Sequence, residues 1–359
     1  MQNNNHPDQQ TPEISSTPEV MAQVDSPLPT PPNSPTPPTS PTSPPPMDDK
    51  TKINGDVKAP SHQSASDDHS KSNKKWRVAL AEISSGKNPA RNILLITRLI
   101  KKAKKRGAYL IAFPEVCNIM EQDKNKAWDV LSYEEDDTHL TTIKNLARDE
   151  GIWVLLGSYL LKAKNNDANI KKFHNRSYLI SDKGEIVGRY DKIHLFDINL
   201  ANGESHRESE SVVAGSVIVT CVGPFPEKYF GKLGLTICYD VRFPYLYRKL
   251  NHLGAGIIFV PSAFTMTTGR AHWYSLLRAR AIENACFIIA PAQTGRHSDG
   301  RRTFGHSMVI DPWGRVIKYA RKKLFGTTRL ILADLDEAAM MAARNQIPAY
   351  RVHLDYAMS

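Results

Sequence analysis

The sequence lacks most features that mark a secreted, membrane-spanning or metal-bound protein. No run of about 18 apolar residues occurs, so no membrane-crossing helix is expected. The first residues are polar and hold no apolar stretch of the kind a secretory signal needs. They are also acidic and poor in Arg, unlike a mitochondrial presequence. The four cysteines, Cys117, Cys221, Cys238 and Cys286, form no CxxC pair and no dense framework. That spacing argues against a disulfide scaffold and against the common zinc sites. Free thiols fit a reducing compartment, so a cytoplasmic location is expected. The net charge is +10, yet zinc-finger spacing, a basic zipper and RNA-stacking motifs are all missing. Neither nucleic acid nor a membrane is therefore an expected partner. Much of the excess charge sits in clusters such as Lys101, Lys102, Lys104, Lys105 and Arg106, which close the apolar run Ile93 to Ile100 and precede Gly107. Cations favour a helix C-terminus and Gly favours the position just beyond it, so this cluster reads as a solvated helix end.

The second scarcity is regional. Residues 1–74 are poor in aromatic and branched aliphatic side chains and rich in Pro, Ser and Thr. Such a segment buries too little apolar surface to offset the entropy of ordering it. A disordered tail is expected over 1–74 and one folded domain over 75–359. The tail's repeated Ser-Pro and Thr-Pro pairs, from Thr11-Pro12 to Ser43-Pro44, suit a spacer. They equally suit proline-directed phosphorylation or docking to a proline-reading module.

From Trp76 the pattern alternates. Apolar strands are expected at Trp76 to Ala81, Tyr109 to Phe113, Trp153 to Tyr159, Phe230 to Ile237, Ile257 to Val260 and Phe287 to Ala290. Amphipathic helices are expected at Pro89 to Lys105, Thr138 to Glu150, Pro244 to Leu253 and Trp273 to Cys286. Hairpin turns are expected at Asp182-Lys183-Gly184 and Asp311-Pro-Trp-Gly314. Strands alternating with helices, with hairpins among them, imply mixed sheets covered by helices, a layered α/β architecture.

Three segments place a reactive group at or just past an apolar strand, where sites gather in α/β folds. Glu115 ends Tyr109-Leu-Ile-Ala-Phe-Pro-Glu. A carboxylate at a buried strand end is suited to general-base work, and a surface-loop Glu is the bland alternative. Lys192 lies in Gly188-Arg-Tyr-Asp-Lys-Ile-His-Leu-Phe196 among aromatic and aliphatic neighbours. It is either an electrostatic anchor or an edge-strand Lys with its head in water. Cys238 lies in Gly231-Lys-Leu-Gly-Leu-Thr-Ile-Cys-Tyr-Asp-Val-Arg-Phe-Pro244. At a strand-to-helix turn its thiol pKa is open to lowering by the helix N-terminus and nearby cations. A buried structural Cys is the alternative.

Taken together, Phe113-Pro-Glu115, Tyr190-Asp-Lys192-Ile-His-Leu-Phe196 and Cys238-Tyr-Asp-Val-Arg-Phe-Pro244 resemble, in order, the catalytic segments of the nitrilase superfamily of carbon–nitrogen hydrolases. The resemblance extends to Pro261-Ser-Ala-Phe-Thr265, Leu277-Arg-Ala-Arg-Ala-Ile-Glu-Asn284 and Gly305-His-Ser-Met-Val-Ile-Asp-Pro-Trp-Gly314. It implies a four-layer α-β-β-α sandwich, a homodimer, no cofactor and no metal. It also implies that Glu115 is the proton acceptor, Lys192 the proton donor and oxyanion stabiliser, and Cys238 the nucleophile. A second glutamate positions the lysine, with Glu208 or its neighbour Glu210 as the candidates. Lys192-Ile-His-Leu-Phe-Asp197, Arg207-Glu-Ser-Glu210, Thr268-Gly-Arg-Ala-His-Trp273 and Gln293-Thr-Gly-Arg-His297 resemble the deaminated glutathione amidase branch. That branch implies hydrolysis of N-(4-oxoglutaryl)-L-cysteinylglycine to 2-oxoglutarate and cysteinylglycine. An ω-amidase acting on 2-oxoglutaramate, or another small-amide or carbamoyl hydrolase, is the alternative. A non-catalytic interaction module with the tail as its working part is the reading from a different class. An anionic substrate calls for arginine. Arg242, Phe264, Thr265 and Arg296 are the candidate substrate contacts, with Arg270, Arg301 and Arg302 nearby in sequence.

Overall fold

The computed structural model describes residues 76–164, 170–201, 203–320 and 326–352. The expected tail, 1–74, lies outside the described residues. The strands are β1 (Trp76–Glu82), β2 (Leu110–Ala112), β3 (Trp153–Lys162), β4 (Phe173–Ile180), β5 (Ile186–Asp191), β6 (Asp197–Asn199), β7 (Ser205–Arg207), β8 (Thr220–Cys221), β9 (Lys232–Leu235), β10 (Ala255–Phe259), β11 (Phe287–Ala290), β12 (Thr294–Arg296), β13 (Arg302–Phe304), β14 (Met308–Ile310), β15 (Val316–Tyr319) and β16 (Arg329–Leu335). The helices are α1 (Pro89–Lys105), α2 (Lys124–Val130), α3 (Thr138–Glu150), α4 (Glu227–Phe230), α5 (Pro244–His252), α6 (Met266–Asn284) and α7 (Glu337–Gln346).

Two six-stranded sheets form, ordered β16-β1-β2-β3-β4-β5 and β15-β14-β11-β10-β9-β8. Both are mixed. β1, β2 and β3 run parallel, as do β9, β10 and β11, and antiparallel strands flank them. Side chains of a strand alternate between its two faces, and the buried residues divide accordingly. Val78, Leu80, Leu110, Ala112, Leu155 and Leu179 join Leu233, Leu235, Ile257 and Phe259 in a core between the sheets. Their neighbours Ala79, Ala81, Ile111, Val154, Leu156 and Ile180 point the other way, onto Ile93, Ile96, Leu99 and Ile100 of α1 and Leu140 and Ile143 of α3. Trp273, Leu277 and Ala281 of α6, with Leu246 and Leu250 of α5, cover the second sheet. The layers are thus helix, sheet, sheet, helix. No helix among the described residues is long and apolar enough to cross a membrane.

Local chemistry explains the element ends. The Asn88 side chain caps α1 by accepting from the Arg91 N–H, 3.1 Å, and Pro89 occupies the first turn. Lys102, Lys104 and Lys105 lie in its last turn and Gly107 follows with φ +74°. Two expectations need correction. The strand expected at Phe230 to Ile237 is confined to β9, because Phe230 closes α4 and Gly231 takes φ +66° against the backbone of Gly254. The helix expected from Trp273 starts earlier, at Met266, where Thr265 accepts from the Thr268 N–H at 3.3 Å.

Candidate active site

Glu115 lies on the turn that leaves β2. A bulge in β3 interrupts its register with β4 between Leu156 and Tyr159, and it grips this turn. Ser158 donates its N–H to Pro114 O (3.2 Å) and accepts the Cys117 N–H on its carbonyl (3.0 Å) and the Val116 N–H on Oγ (2.8 Å). Val116 is held at φ +46°, an outlying conformation for a β-branched residue and a form of strain common at functional sites. Buried Gln293, just past β11, donates from Nε2 to Glu115 O at 2.9 Å.

Cys238 opens a 3-10 turn just past β9 with φ +47°, and its N–H donates to Pro261 O at 2.8 Å. Asp240, fully buried, accepts from the Ile237 N–H (2.8 Å), the Tyr190 hydroxyl (2.7 Å) and the His194 N–H (3.1 Å). One carboxylate thereby ties the cysteine turn to the segment that carries Lys192.

The side chains converge. Lys192 Nζ donates to Glu115 Oε1 and to Glu208 Oε2, each at 2.8 Å. Glu208 also accepts the Phe196 N–H at 2.7 Å, and Glu115 Oε2 accepts the Ala263 N–H at 2.9 Å. Lys192 is 2 % exposed, Glu115 5 % and Cys238 7 %, so charges here are screened little by water. Burial opposes the Lys192 charge, but Glu115, Glu208 and Cys238 outweigh it and hold its pKa well above the ordinary lysine range. Lys192 is therefore a fixed ammonium. The thiol behaves contrary to expectation. Burial first, and then the charge of Glu115, push the Cys238 pKa well above its usual value, with Lys192 opposing. The expected lowering fails because a short turn and one already-paired cation do not offset desolvation beside a carboxylate. The resting group is a thiol that needs a base to ionise it, and Glu115 is hydrogen-bonded to it.

The structure brings Glu115, Lys192, Cys238 and Glu208 together. Glu210 is exposed, and Lys192 bonds only Glu208 of that pair. The cluster forms one wall of a cavity of about 660 Å³, large enough for a small organic molecule. Arg242, Phe264 and Thr265 line it, as do Arg301 and Arg302. The Arg242 guanidinium lies 5.6 Å from the ring centroids of both Tyr239 and Phe264, and its Nη1 is 3.2 Å from His272 Nδ1. No carboxylate pairs with it among the described residues. Arg301 instead pairs with Asp299 at 2.5 Å. Arg296 and Arg270 are exposed on β12 and α6 and do not line the cavity. Proximity in sequence failed for these two because a strand and a helix send adjacent side chains in different directions. Two lining features escaped the sequence altogether. The hairpin β6–β7 brings His206 and Arg207 to the cavity wall, and Asn175 of β4 lies against both glutamates.

A fold of two sheets between helices holds a buried Glu–Lys–Glu–Cys cluster at the strand ends, an arrangement of thiol, carboxylate and cation suited to acyl-transfer chemistry. The chain belongs to the carbon–nitrogen hydrolase family, whose model matches residues 77–345, and so to the nitrilase superfamily of amide-hydrolysing enzymes. It is 36% identical over 285 residues to a deaminated glutathione amidase of Synechocystis sp., covering 77% of this chain and 97% of that one. It is 36% identical over 274 residues to the mouse protein of the same name, covering 76% and 82%. The crystal structure of the Caenorhabditis elegans NitFhit protein superposes with a TM-score of 0.69 at 32% identity, covering 78% of this chain and 65% of that longer one.

Proposed function

We propose that this amidase hydrolyses deaminated glutathione, releasing 2-oxoglutarate and cysteinylglycine, with Cys238 as nucleophile and Glu115 as base. The observation that carries the substrate class is Arg242. It is a cation held between two aromatic rings in the cavity wall, with no carboxylate on it among the described residues, and it suits a carboxylate on the substrate. Glu115 takes the thiol proton, and the sulfur attacks the amide carbonyl. Lys192, fixed as an ammonium, and a backbone N–H of the cysteine turn stabilise the oxyanion. The Cys238 N–H is already given to Pro261 O, so that donor comes from further along the turn. Protonated Glu115 then passes its proton to the leaving amine, which departs as cysteinylglycine and leaves a thioester. Glu115 next takes a proton from water as the oxygen attacks the thioester. 2-Oxoglutarate leaves, and the proton returns to sulfur. Glu208 keeps Lys192 in place throughout.

The test is a parallel assay on deaminated glutathione and on 2-oxoglutaramate, following 2-oxoglutarate. Preference for the first supports the reading, preference for the second makes the protein an ω-amidase, and activity on neither removes both substrates. Arg242→Gln is expected to raise KM for the anionic amide roughly 10- to 100-fold with kcat little changed, since a charge-assisted hydrogen bond contributes about 1.5–3 kcal/mol. An unchanged KM would remove Arg242 from the substrate site. A cytoplasmic homodimer belongs to the same proposal. Its expected solution mass is twice the 40.2 kDa of the chain, and a monomer by light scattering would refute the dimer.

A further inference from the structure

We infer that Asn175 is a positioning residue that sets Glu115 and Glu208 in the orientation in which they share Lys192. This rests on the Glu–Lys–Cys reading above. Strand register creates the arrangement. In the β4–β5 ladder Arg176 pairs with Asp191, so one step on Asn175 faces Lys192, whose N–H donates to Asn175 O at 3.0 Å. Strand alternation then sends Arg176 and Asp191 to one face, where they pair at 2.7 and 2.8 Å. It sends Asn175 and Lys192 together to the other, into the site.

There the Asn175 amide donates from Nδ2 to Glu115 Oε1 at 3.2 Å and to Glu208 Oε1 at 3.0 Å. Only the NH₂ end can face two carboxylates, because the oxygen would meet their lone pairs. Consistently, Oδ1 has no donor among the described residues although Asn175 is 2 % exposed. Each glutamate thus accepts from two side chains, the Lys192 ammonium and a neutral amide, beside the one backbone N–H already described. Neutrality matters. A second cation here would stabilise the Glu115 anion and weaken it as the base for a thiol whose proton is hard to remove, whereas a third carboxylate would repel both glutamates.

The groups that surround Asn175 in the site are Glu115 after β2, Lys192 after β5, Glu208 after β7 and Cys238 after β9. Arg176, Asp191, His174 and Glu134 belong to the opposite face. Asn175→Asp is isosteric and tests the arrangement by charge. Above the range where the new carboxyl ionises, three carboxylates share one ammonium, the donor to Glu115 and Glu208 is gone, and mutual repulsion turns both glutamates out of the orientation the amide holds. In acid the protonated Asp donates much as the amide does.

The experiment measures kcat and KM from mildly acidic to alkaline pH for the full chain and for Asn175→Asp, Asn175→Ala and Cys238→Ala, on the amide the wild type hydrolyses best. It also follows iodoacetamide alkylation of Cys238, which needs no substrate. Asn175→Ala is expected to lose on the order of 100-fold in kcat with KM nearly unchanged, as misorientation of a reacting group does. Asn175→Asp is expected to be impaired at neutral pH and to approach the wild type as pH falls, in both turnover and alkylation. Should Asn175→Ala fail to fold, the Asp variant decides. A pH profile of Asn175→Asp parallel to that of the wild type, or wild-type kcat in both variants, overturns the inference while an inactive Cys238→Ala leaves the mechanism standing. Turnover by Cys238→Ala would overturn the mechanism itself.

Discussion

Cys238→Ala is expected to yield a folded protein with no measurable turnover. Removal of the nucleophile from a comparable acyl-transfer enzyme costs on the order of 10⁶ in kcat, and no other thiol is placed to substitute. Cys117, Cys221 and Cys286 are all buried, and none lines the cavity. Burial pushes Cys221 up to about 11 and Cys286 up to about 12, and drives Cys117 higher still. The stability cost is small because the Glu115–Lys192–Glu208 cluster survives intact and the deleted sulfur borders an open cavity rather than closed core. Thermal melting should therefore shift by no more than about 2–4 °C, the range for a change near 1 kcal/mol in a domain of this size. Activity above about one per cent of wild type would point to another nucleophile, given the scale of loss seen elsewhere. A wild-type protein inactive on every amide, with slow and unselective alkylation of its cysteines, would favour the interaction-module reading.

What the sequence made legible follows from how local each signal is. The α1 bounds Pro89 and Lys105 were readable because Asn-Pro, an apolar stripe, a basic last turn and Gly107 all lie within one segment. The same holds for α3 and for the hairpin between β4 and β5. Glu115, Lys192 and Cys238 were readable because each sits in a motif of its own. The start of α6 was not, since its first turns bury Thr268 and Gly269, not large apolar residues. Gly269 there packs directly under Phe304, where a Cβ would meet the ring at 2.4 Å. Asn175 was invisible for a different reason. Its environment is made by a neighbouring strand and by two carboxylates 60 and 33 residues away in sequence. Choosing Glu208 over Glu210 likewise needed the backbone, because the Phe196 N–H that orients Glu208 comes from the other side of a hairpin. The direction of the thiol pKa was misjudged on local grounds, since desolvation depends on every layer above the group.

Gly157→Ala is expected to cost on the order of 100-fold or more in kcat, though the residue touches no reacting atom. Gly157 lies in the β3 bulge, where a Cβ would stand 1.9 Å from Phe113 O, 2.8 Å from Pro114 O and 2.3 Å from Pro261 Cβ. Two of those atoms belong to the backbone that delivers Glu115. The third precedes Ser262 and Ala263, whose N–H holds Glu115 Oε2, and its own carbonyl accepts the Cys238 N–H. A glycine inside a strand often marks such a close backbone approach. The methyl group has no flexible side chain to displace, so the loops on both sides must part. Overpacking of this kind typically costs about 1–3 kcal/mol of stability. The larger effect is geometric, because a displacement near 1 Å between base and nucleophile costs on the order of 100-fold in rate, and here base and nucleophile are pushed apart together. The variant should therefore melt several degrees lower and lose at least that much kcat, with the loss persisting well below its melting temperature. Full activity at low temperature with only the melting point lowered would show that the bulge supports the fold alone, and that the Glu115 turn finds its place without it.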